Sequence, residues 1–311
     1  MHLKSMYDYN IGNTPMVTLD DSEFRGCACL KMECYNLNKS IKDRAAYYMI
    51  KSLEEQGDLN SEVHIVESTS GNLGLSLGFF ANELGIGFTC LVDPTIMAEK
   101  RKRLSTAGIQ VVDVEKKETD NDYRCARIRV ANEMDKLENY IWMNQYGNLA
   151  NVEAHYRTTG PEIWNKTRGE VDFVVCAMGS GGTISGIAKY MKENHPDVQI
   201  IGVEPYGSTI FGTVNDTYLS VGAGLNGKSS ILEMYGSLID QAYVVTDKEA
   251  IYECNYLMEK LGVSIGITTG MSVHVVRRLK DKYKGKKFVI VSSDNADNYV
   301  DLLKKHHFTT F

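Results

Sequence analysis

Proline is scarce in this chain, at five in 311 residues, and three of the five (Pro15, Pro94 and Pro161) fall where one predicted element gives way to the next. No internal repeat, low-complexity tract or linker breaks the sequence, which excludes a repeat array. No apolar run approaches the roughly 20 residues that a membrane-spanning helix needs. The start, Met1-His2-Leu3-Lys4-Ser5-Met6-Tyr7-Asp8, lacks the long apolar core of a secretory leader, and a cytoplasmic address is the expectation. Basic residues number 34 against 40 acidic ones. The resulting formal charge of -6 argues against a nucleic-acid partner, which would need a basic face. The seven cysteines (27, 29, 34, 90, 125, 176 and 254) are an odd number without a regular framework, which fits a reducing compartment. Cys27 and Cys29 share one face of a predicted strand. A metal site there would need further ligands nearby, and none stands out.

What is present is ordinary in bulk and specific in pattern. Hydrophobic content of 43% and charge of 24% suit a globular protein. The length allows two modest lobes or one large domain, and either can bury a substantial core. Apolar runs at 27–32, 64–67, 88–92, 110–114, 171–177, 199–204 and 288–291 read as strands. Helical spacing of Ala45, Ala46, Met49, Ile50 and Leu53 predicts a helix over 43–56 that ends at Gly57. Further helices are expected over 75–84, over about 98–107 and from about 184. Continuous apolar strands alternating with helices predict an α/β fold with a mostly parallel sheet covered on both faces. The charged run Lys100-Arg101-Lys102-Arg103 reads as a solvated helix face, with phosphate binding as the alternative.

Three motifs carry chemistry together that none carries alone. Lys42, in Ser40-Ile41-Lys42-Asp43-Arg44, is a surface charge if read in isolation. Ser68-Thr69-Ser70-Gly71-Asn72-Leu73-Gly74 leaves a strand with hydroxyl and backbone donors suited to a carboxylate. Gly179-Ser180-Gly181-Gly182-Thr183 also follows a strand and opens a helix. Its glycines let successive N–H groups converge on an anion, the helix start adds a favourable field, and Ser180 and Thr183 supply hydroxyl donors. A dinucleotide loop is the competing reading of that run, but no acidic residue about 20 residues later makes a convincing ribose partner, and Lys42 would go unused. A reactive amine, a carboxylate loop and a phosphate cradle are the parts that a pyridoxal phosphate enzyme requires.

In these motifs, their order and their spacing, the chain resembles the cysteine synthase (O-acetylserine sulfhydrylase) family of fold-type II pyridoxal phosphate enzymes. The resemblance runs from Ile11-Gly12-Asn13-Thr14-Pro15 to at least Gly270. It implies a tryptophan synthase β-like fold with two lobes, each a mainly parallel sheet covered by helices. A small mobile lobe, about 35–150, would carry the substrate loop. Residues 1–34 and 151–311 would form the larger lobe that binds the cofactor phosphate. The resemblance makes Lys42 the lysine that holds pyridoxal 5'-phosphate and moves the substrate's α proton. It places Asn72 at the ring hydroxyl, the 179–183 loop at the phosphate and Thr268, in Gly266-Ile267-Thr268-Thr269-Gly270, at the ring nitrogen. Thr69, Ser70, Gly71 and Gln145 would bind the substrate carboxylate, with a solvated loop amide as the other reading of Gln145. A homodimer acting on a small amino acid is also implied.

Two departures from the family bear on the reaction. Leu73 stands where relatives carry threonine, which removes one hydroxyl from the carboxylate site. Ser220-Val221-Gly222-Ala223-Gly224-Leu225-Asn226-Gly227 carries polar Asn226 where relatives have an apolar residue and proline. Asn226 is either the turn residue of an Asn-Gly pair or a group that reaches the substrate's β carbon. A neutral hydroxyl at the ring nitrogen leaves the ring a weak electron sink and favours loss of the β substituent, through an α-aminoacrylate, over transamination. The expected activity is β-elimination or β-replacement on L-cysteine or an O-activated L-serine. It leans to a hydrogen sulfide-releasing cysteine lyase with water or a thiol as second substrate. Cysteine synthase proper, a phosphoserine–glutamate type of synthase and a non-catalytic regulatory protein on the same fold are the alternatives.

Overall fold

The computed structural model describes residues 2–69, 71–94, 96, 98–120, 122–220, 222–300 and 302. The first half of the chain runs β1 (Met16–Thr18), β2 (Ala28–Met32), α1 (Lys42–Gln56), β3 (His64–Ser68), α2 (Asn72–Leu84), β4 (Gly87–Val92), α3 (Ala98–Thr106) and β5 (Gln110–Asp113). Next come α4 (Tyr123–Met134), β6 (Tyr140–Trp142), α5 (Leu149–Ala154), a π-helical turn (His155–Thr159) and α6 (Gly160–Thr167). The remainder is β7 (Phe173–Ala177), α7 (Gly182–Asn194), β8 (Gln199–Pro205), α8 (Ser230–Tyr235), β9 (Gln241–Val245), α9 (Asp247–Leu261), α10 (Ile267–Leu279) and β10 (Phe288–Ser292). The α/β reading holds, and the expected strands sit within two residues of their predicted bounds. Two helices begin earlier than predicted, α2 at Asn72 and α7 at Gly182, because glycine loops lead straight into their first turns.

The strands form two sheets. One has six strands in the order β1-β2-β10-β7-β8-β9, parallel except for the β1–β2 pair, and the other has four, β5-β4-β3-β6, all parallel. The apolar runs are continuous because both faces of each sheet are covered. Along β7, Phe173 and Val175 join one core while Val174 and Cys176 join another. Along β3, Ile65 faces the core that α1 and α2 share, and Val66 packs with Ala126 and Ala131 of α4. A single face would have produced alternation instead. Among the described residues no helix is long and apolar enough to cross a membrane, and no cluster of potential metal ligands occurs.

In parallel sheets, loops at the carboxyl ends of the strands gather ligand-binding residues. The loops that follow β3, β7 and β10 open onto one cavity of about 520 Å³, lined by Thr69 and Gly71, by Gly179 and Ser180, and by Ser293 and Asp294. Both sheets contribute to this one cavity.

Candidate active site

Lys42 is the first residue of α1 and lines the cavity. Its neighbours in sequence anchor it from three sides. The Ile41 amide donates to the Ser293 carbonyl at 2.9 Å, beyond the end of β10. The buried Asp43 carboxylate accepts from the Asn38 amide at 2.7 Å, from the Asn38 side chain at 2.8 Å and from the Ser76 hydroxyl of α2 at 2.6 Å. Arg44 is tied to Glu33 and Glu162. Burial pushes the Lys42 amine below its ordinary value, and the Asp294 charge partly opposes this. Desolvation thus favours the neutral, nucleophilic amine.

The glycine loop is built for close approach. Gly181 has φ +92°, a conformation L side chains rarely adopt, and a Cβ there would come within 2.5 Å of Leu232. A Cβ on Gly179 would come within 2.7 Å of the Gly222 carbonyl. Ser180, Gly181 and Thr183 line the cavity, whereas Gly182 backs the loop against the Asn151 side chain and does not line it. The loop is braced from behind. Ser229 donates to the Ser180 carbonyl at 2.6 Å, Asn151 donates to the Ser180 hydroxyl at 3.2 Å, and Thr183 shares a hydrogen bond with His155 at 3.2 Å. His155 lies in the π turn, and burial lowers its imidazole to about 3, so it is neutral at ordinary pH. A π turn changes the helical register locally, and here it delivers a side chain to the loop.

The loop after β3 also borders the cavity. Thr69 is buried and its hydroxyl accepts from the Gly71 amide at 3.3 Å. Gln145 donates its side-chain amide to the Ser68 carbonyl at 3.0 Å and its backbone N–H to Glu67 at 3.1 Å. Both Thr69 and Gln145 line the cavity, as do Gly71 and Asn72. Ser70 lies outside the described residues. Thr268, on the first turn of α10, also lines the cavity, and its buried hydroxyl oxygen has no hydrogen-bond partner among the described residues. Asn226 is exposed at the cavity's edge, where its side-chain oxygen accepts from the Thr209 hydroxyl at 3.1 Å. Gly227 follows at φ +81°, so Asn226 both precedes a glycine turn and borders the cavity.

Several cavity residues were not singled out from sequence. Lys100 was assigned to a solvated helix face; it lines the cavity instead, with no ion pair or hydrogen bond among the described residues, and burial lowers its amine to about 8. Its neighbours behave differently: Arg101 pairs with Asp113 and Arg103 bonds Asn298. A run of four like charges has no periodicity to reveal which one turns inward. Arg124 donates to the Asn226 carbonyl at 2.7 Å, linking α4 to the glycine-rich segment. Arg127 pairs with Asp93 and donates to the Ser68 hydroxyl at 3.2 Å. Asp294 lies two residues beyond β10, and the carboxyl-end position was the signal that would have found it.

Glu67 lies near the end of β3, just before the 68–74 loop, with one carboxyl oxygen unpartnered. Burial pushes it up to about 8, against the opposing pull of the Gln145 and Ser68 amides. A carboxyl raised in the folded state adds stability in full below its ordinary value near 4.5, and that contribution drains away as pH rises toward 8. The slope between those limits is up to about 1.4 kcal/mol per pH unit. Glu67→Gln is therefore expected to flatten the decline, so that the wild type's urea midpoint falls more between pH 5.5 and 8 than the variant's. Parallel curves would show that Glu67 is ionised throughout.

The residues fit pyridoxal phosphate on the structure's own terms. An amine with lowered basicity, a loop in which added Cβ atoms would collide, and an orphaned buried hydroxyl all border one cavity. Comparison with solved structures agrees in fold. A hydrogen sulfide-producing enzyme from Fusobacterium nucleatum is 28% identical, with a TM-score of 0.86 over 96% of this chain and 99% of that one. An O-ureido-L-serine synthase matches at 24% identity and a TM-score of 0.89 over 99% of this chain and 98% of that one, which shows the shared fold. The family model described as pyridoxal-phosphate dependent enzyme matches residues 7–294. The chain therefore belongs to the pyridoxal-phosphate dependent enzyme family, on the fold-type II architecture.

Proposed function

We propose that this enzyme catalyses β-elimination and β-replacement on L-cysteine or an O-activated L-serine, in the direction that releases hydrogen sulfide from cysteine. The observation that carries the reading is the pairing of Lys42 with the unpartnered Thr268 hydroxyl in one cavity. Pyridoxal phosphate supplies an aldehyde for the substrate amine and a ring that withdraws electrons from the α carbon. In this reading Lys42 anchors the group, and the 179–183 loop with the helix start behind it binds its phosphate. Thr69, Ser70, Gly71 and Gln145 hold the substrate carboxylate, which orients the Cα–H bond toward Lys42.

Lys42, freed when the substrate amine takes its place, would take the α proton while the Cβ–S bond breaks, and sulfur would leave with the bonding electron pair as hydrosulfide, which takes a proton from solvent to become hydrogen sulfide. Water or a thiol would then add at the β carbon and give up its proton to solvent, and Lys42 would return the α proton to Cα. Thr268 facing the ring nitrogen offers no carboxylate to keep it protonated, which favours this course over transamination. Asn226 borders the position of the β substituent, where an amide orients a second substrate but cannot act as its base. The sulfide-producing neighbour, at 28% identity, supports the direction.

The test is the purified holoenzyme with L-cysteine, its visible absorption followed while sulfide is trapped. Sulfide release with a spectral change is expected. Asn226→Asp, which places a base beside the β position, is expected to release it about tenfold or more faster when water is the acceptor. Sulfide from neither protein would overturn this direction, and a response confined to O-acetylserine would favour the biosynthetic one. A second reading, replacement on phosphoserine by glutamate, is favoured by Lys100, Arg124 and Arg127 on the cavity wall, since all three are suited to anions. A glutamate-dependent product by mass spectrometry would establish it. The 35–150 lobe as a closing unit and a cytoplasmic homodimer belong to the same proposal, and sedimentation of the holoenzyme checks the dimer.

A further inference from the structure

We propose that Asp294 is a positioning residue for the cofactor ring, acting through the Asn72 side chain; the inference rests on reading this cavity as the pyridoxal phosphate site. Asp294 is buried, and one of its oxygens, Oδ2, accepts three hydrogen bonds. They come from Asn72 Nδ2 at 3.0 Å, Asn298 Nδ2 at 3.0 Å and the Tyr299 hydroxyl at 3.3 Å. Asn72 opens α2 beside the four-stranded sheet, whereas Asp294 follows β10 of the six-stranded one. The bond thus crosses the cavity between elements that belong to different sheets.

An asparagine amide has two faces, an acceptor oxygen and a donor nitrogen, that nearly superimpose when the group flips. An oxygen already accepting from two other donors admits only the nitrogen face. Asp294 therefore sets the orientation of Asn72, and the bond consumes one of its two N–H groups. The second has no acceptor among the described residues, and Asn72 lines the cavity. Asn72 therefore keeps one free N–H donor in a fixed orientation beside the cavity. A donor stabilises an ionised ring oxygen, whereas a carbonyl in its place would oppose ionisation. Without Asp294 the amide is free to present either.

The seat is made for a carboxyl group. Its other oxygen, Oδ1, has no hydrogen-bond partner among the described residues and lies where a Cβ on Gly266 would come within 2.1 Å. Any side chain at position 266 would displace it. Burial raises the Asp294 carboxyl above its ordinary value, and the nearby Lys100 of α3 and Lys42 of α1 partly oppose this.

Asp294→Asn tests the proposal, because it keeps the volume while offering Asn72 either a donor or an acceptor. The variant retains Lys42 and the glycine loop, so it is expected to hold pyridoxal phosphate. Its visible absorption is expected to titrate with a midpoint displaced by about one pH unit, the scale of one charge-assisted hydrogen bond. Turnover is expected to fall about tenfold with KM for the amino acid nearly unchanged, as for an interaction made mainly in the transition state. Asn72→Ala and the double variant complete a cycle. If Asp294 acts through Asn72, the double variant titrates like Asn72→Ala alone.

An Asp294→Asn spectrum identical to wild type, or changes that add in the double variant, would overturn the proposal. If Asp294→Asn does not accumulate folded, Asp294→Ser carries the same comparison. A wild-type protein that binds pyridoxal phosphate without a visible band would sink the cofactor reading itself. A wild-type band with an unshifted variant would sink only the role of Asp294.

Discussion

Lys42→Ala is expected to abolish the visible absorption of bound pyridoxal phosphate and to lower turnover by roughly a thousandfold or more, since covalent attachment and proton transfer are lost together. The fold should survive the change. Helix α1 is held by Asp43, through Asn38 and Ser76, and by Arg44, through Glu33 and Glu162, and none of these contacts involves the Lys42 side chain. The thermal midpoint of the cofactor-free protein is therefore expected to stay within a few degrees of wild type. Lys42→Arg should not rescue activity, because a guanidinium that stays protonated is neither a nucleophile nor a base at neutral pH. Borohydride reduction of the wild type followed by peptide mass mapping identifies the attached residue directly. A tag on Lys100, the other cavity lysine, would refute the assignment of Lys42.

Arg44→Met is expected to cost about 3–5 kcal/mol of stability, the usual price of removing one partner from a buried charge network. Arg44 is fully buried, and its guanidinium forks onto two carboxylates. It donates to Glu33 at 2.7 and 3.0 Å and to Glu162 at 2.7 and 2.8 Å. Lys31, equally buried, donates to Glu162 at 2.7 Å, and the Thr14 hydroxyl donates to Glu33 at 2.7 Å. Burial alone would raise Glu33, but Arg44 and Lys31 outweigh it and hold the carboxyl far below the ordinary range. A depressed carboxyl adds stability that is present above about 4.5 and is lost as pH falls.

The network joins the N-terminal segment, β2, α1 and α6, so its loss should also loosen the helix that begins at Lys42. Urea unfolding of the cofactor-free protein measures the effect, and a variant within 1 kcal/mol of wild type would show that the network contributes little. Arg44→Lys should recover only part of the loss, because one ammonium cannot serve both carboxylates with forked geometry.

The sequence and the tertiary structure divide the information in a consistent way. The strands were legible because each sheet is buried on both faces, so β7 and β10 read as unbroken apolar runs. The short edge strands β1 and β6, three residues each and only partly buried, carry no such signal. The same holds for the π turn, whose sequence His155-Tyr156-Arg157-Thr158-Thr159 does not differ in pattern from ordinary helix. The 68–74 and 179–183 loops stood out because glycine and hydroxyl residues cluster at strand ends there, and Lys42 stood out only beside those two motifs.

Lys100, Arg124 and Arg127 were invisible for the opposite reason, and the strand-end position of Asp294 marks its place but not its role. Each is a common charged residue whose meaning depends on what the fold brings to it, as it brings Asn72 to Asp294 from 222 positions away. Local pattern determined the α/β class and the buried strands, because backbone conformation and burial act over a few neighbouring residues, and the motifs around 42, 68–74 and 179–183 supplied the expectation of a site. Only the tertiary structure decided which charges turn inward, which amide orientation Asn72 takes and which buried acids lie against the loops. Those outcomes depend on distance and desolvation across two sheets, quantities that exist only once the chain has closed around the cavity.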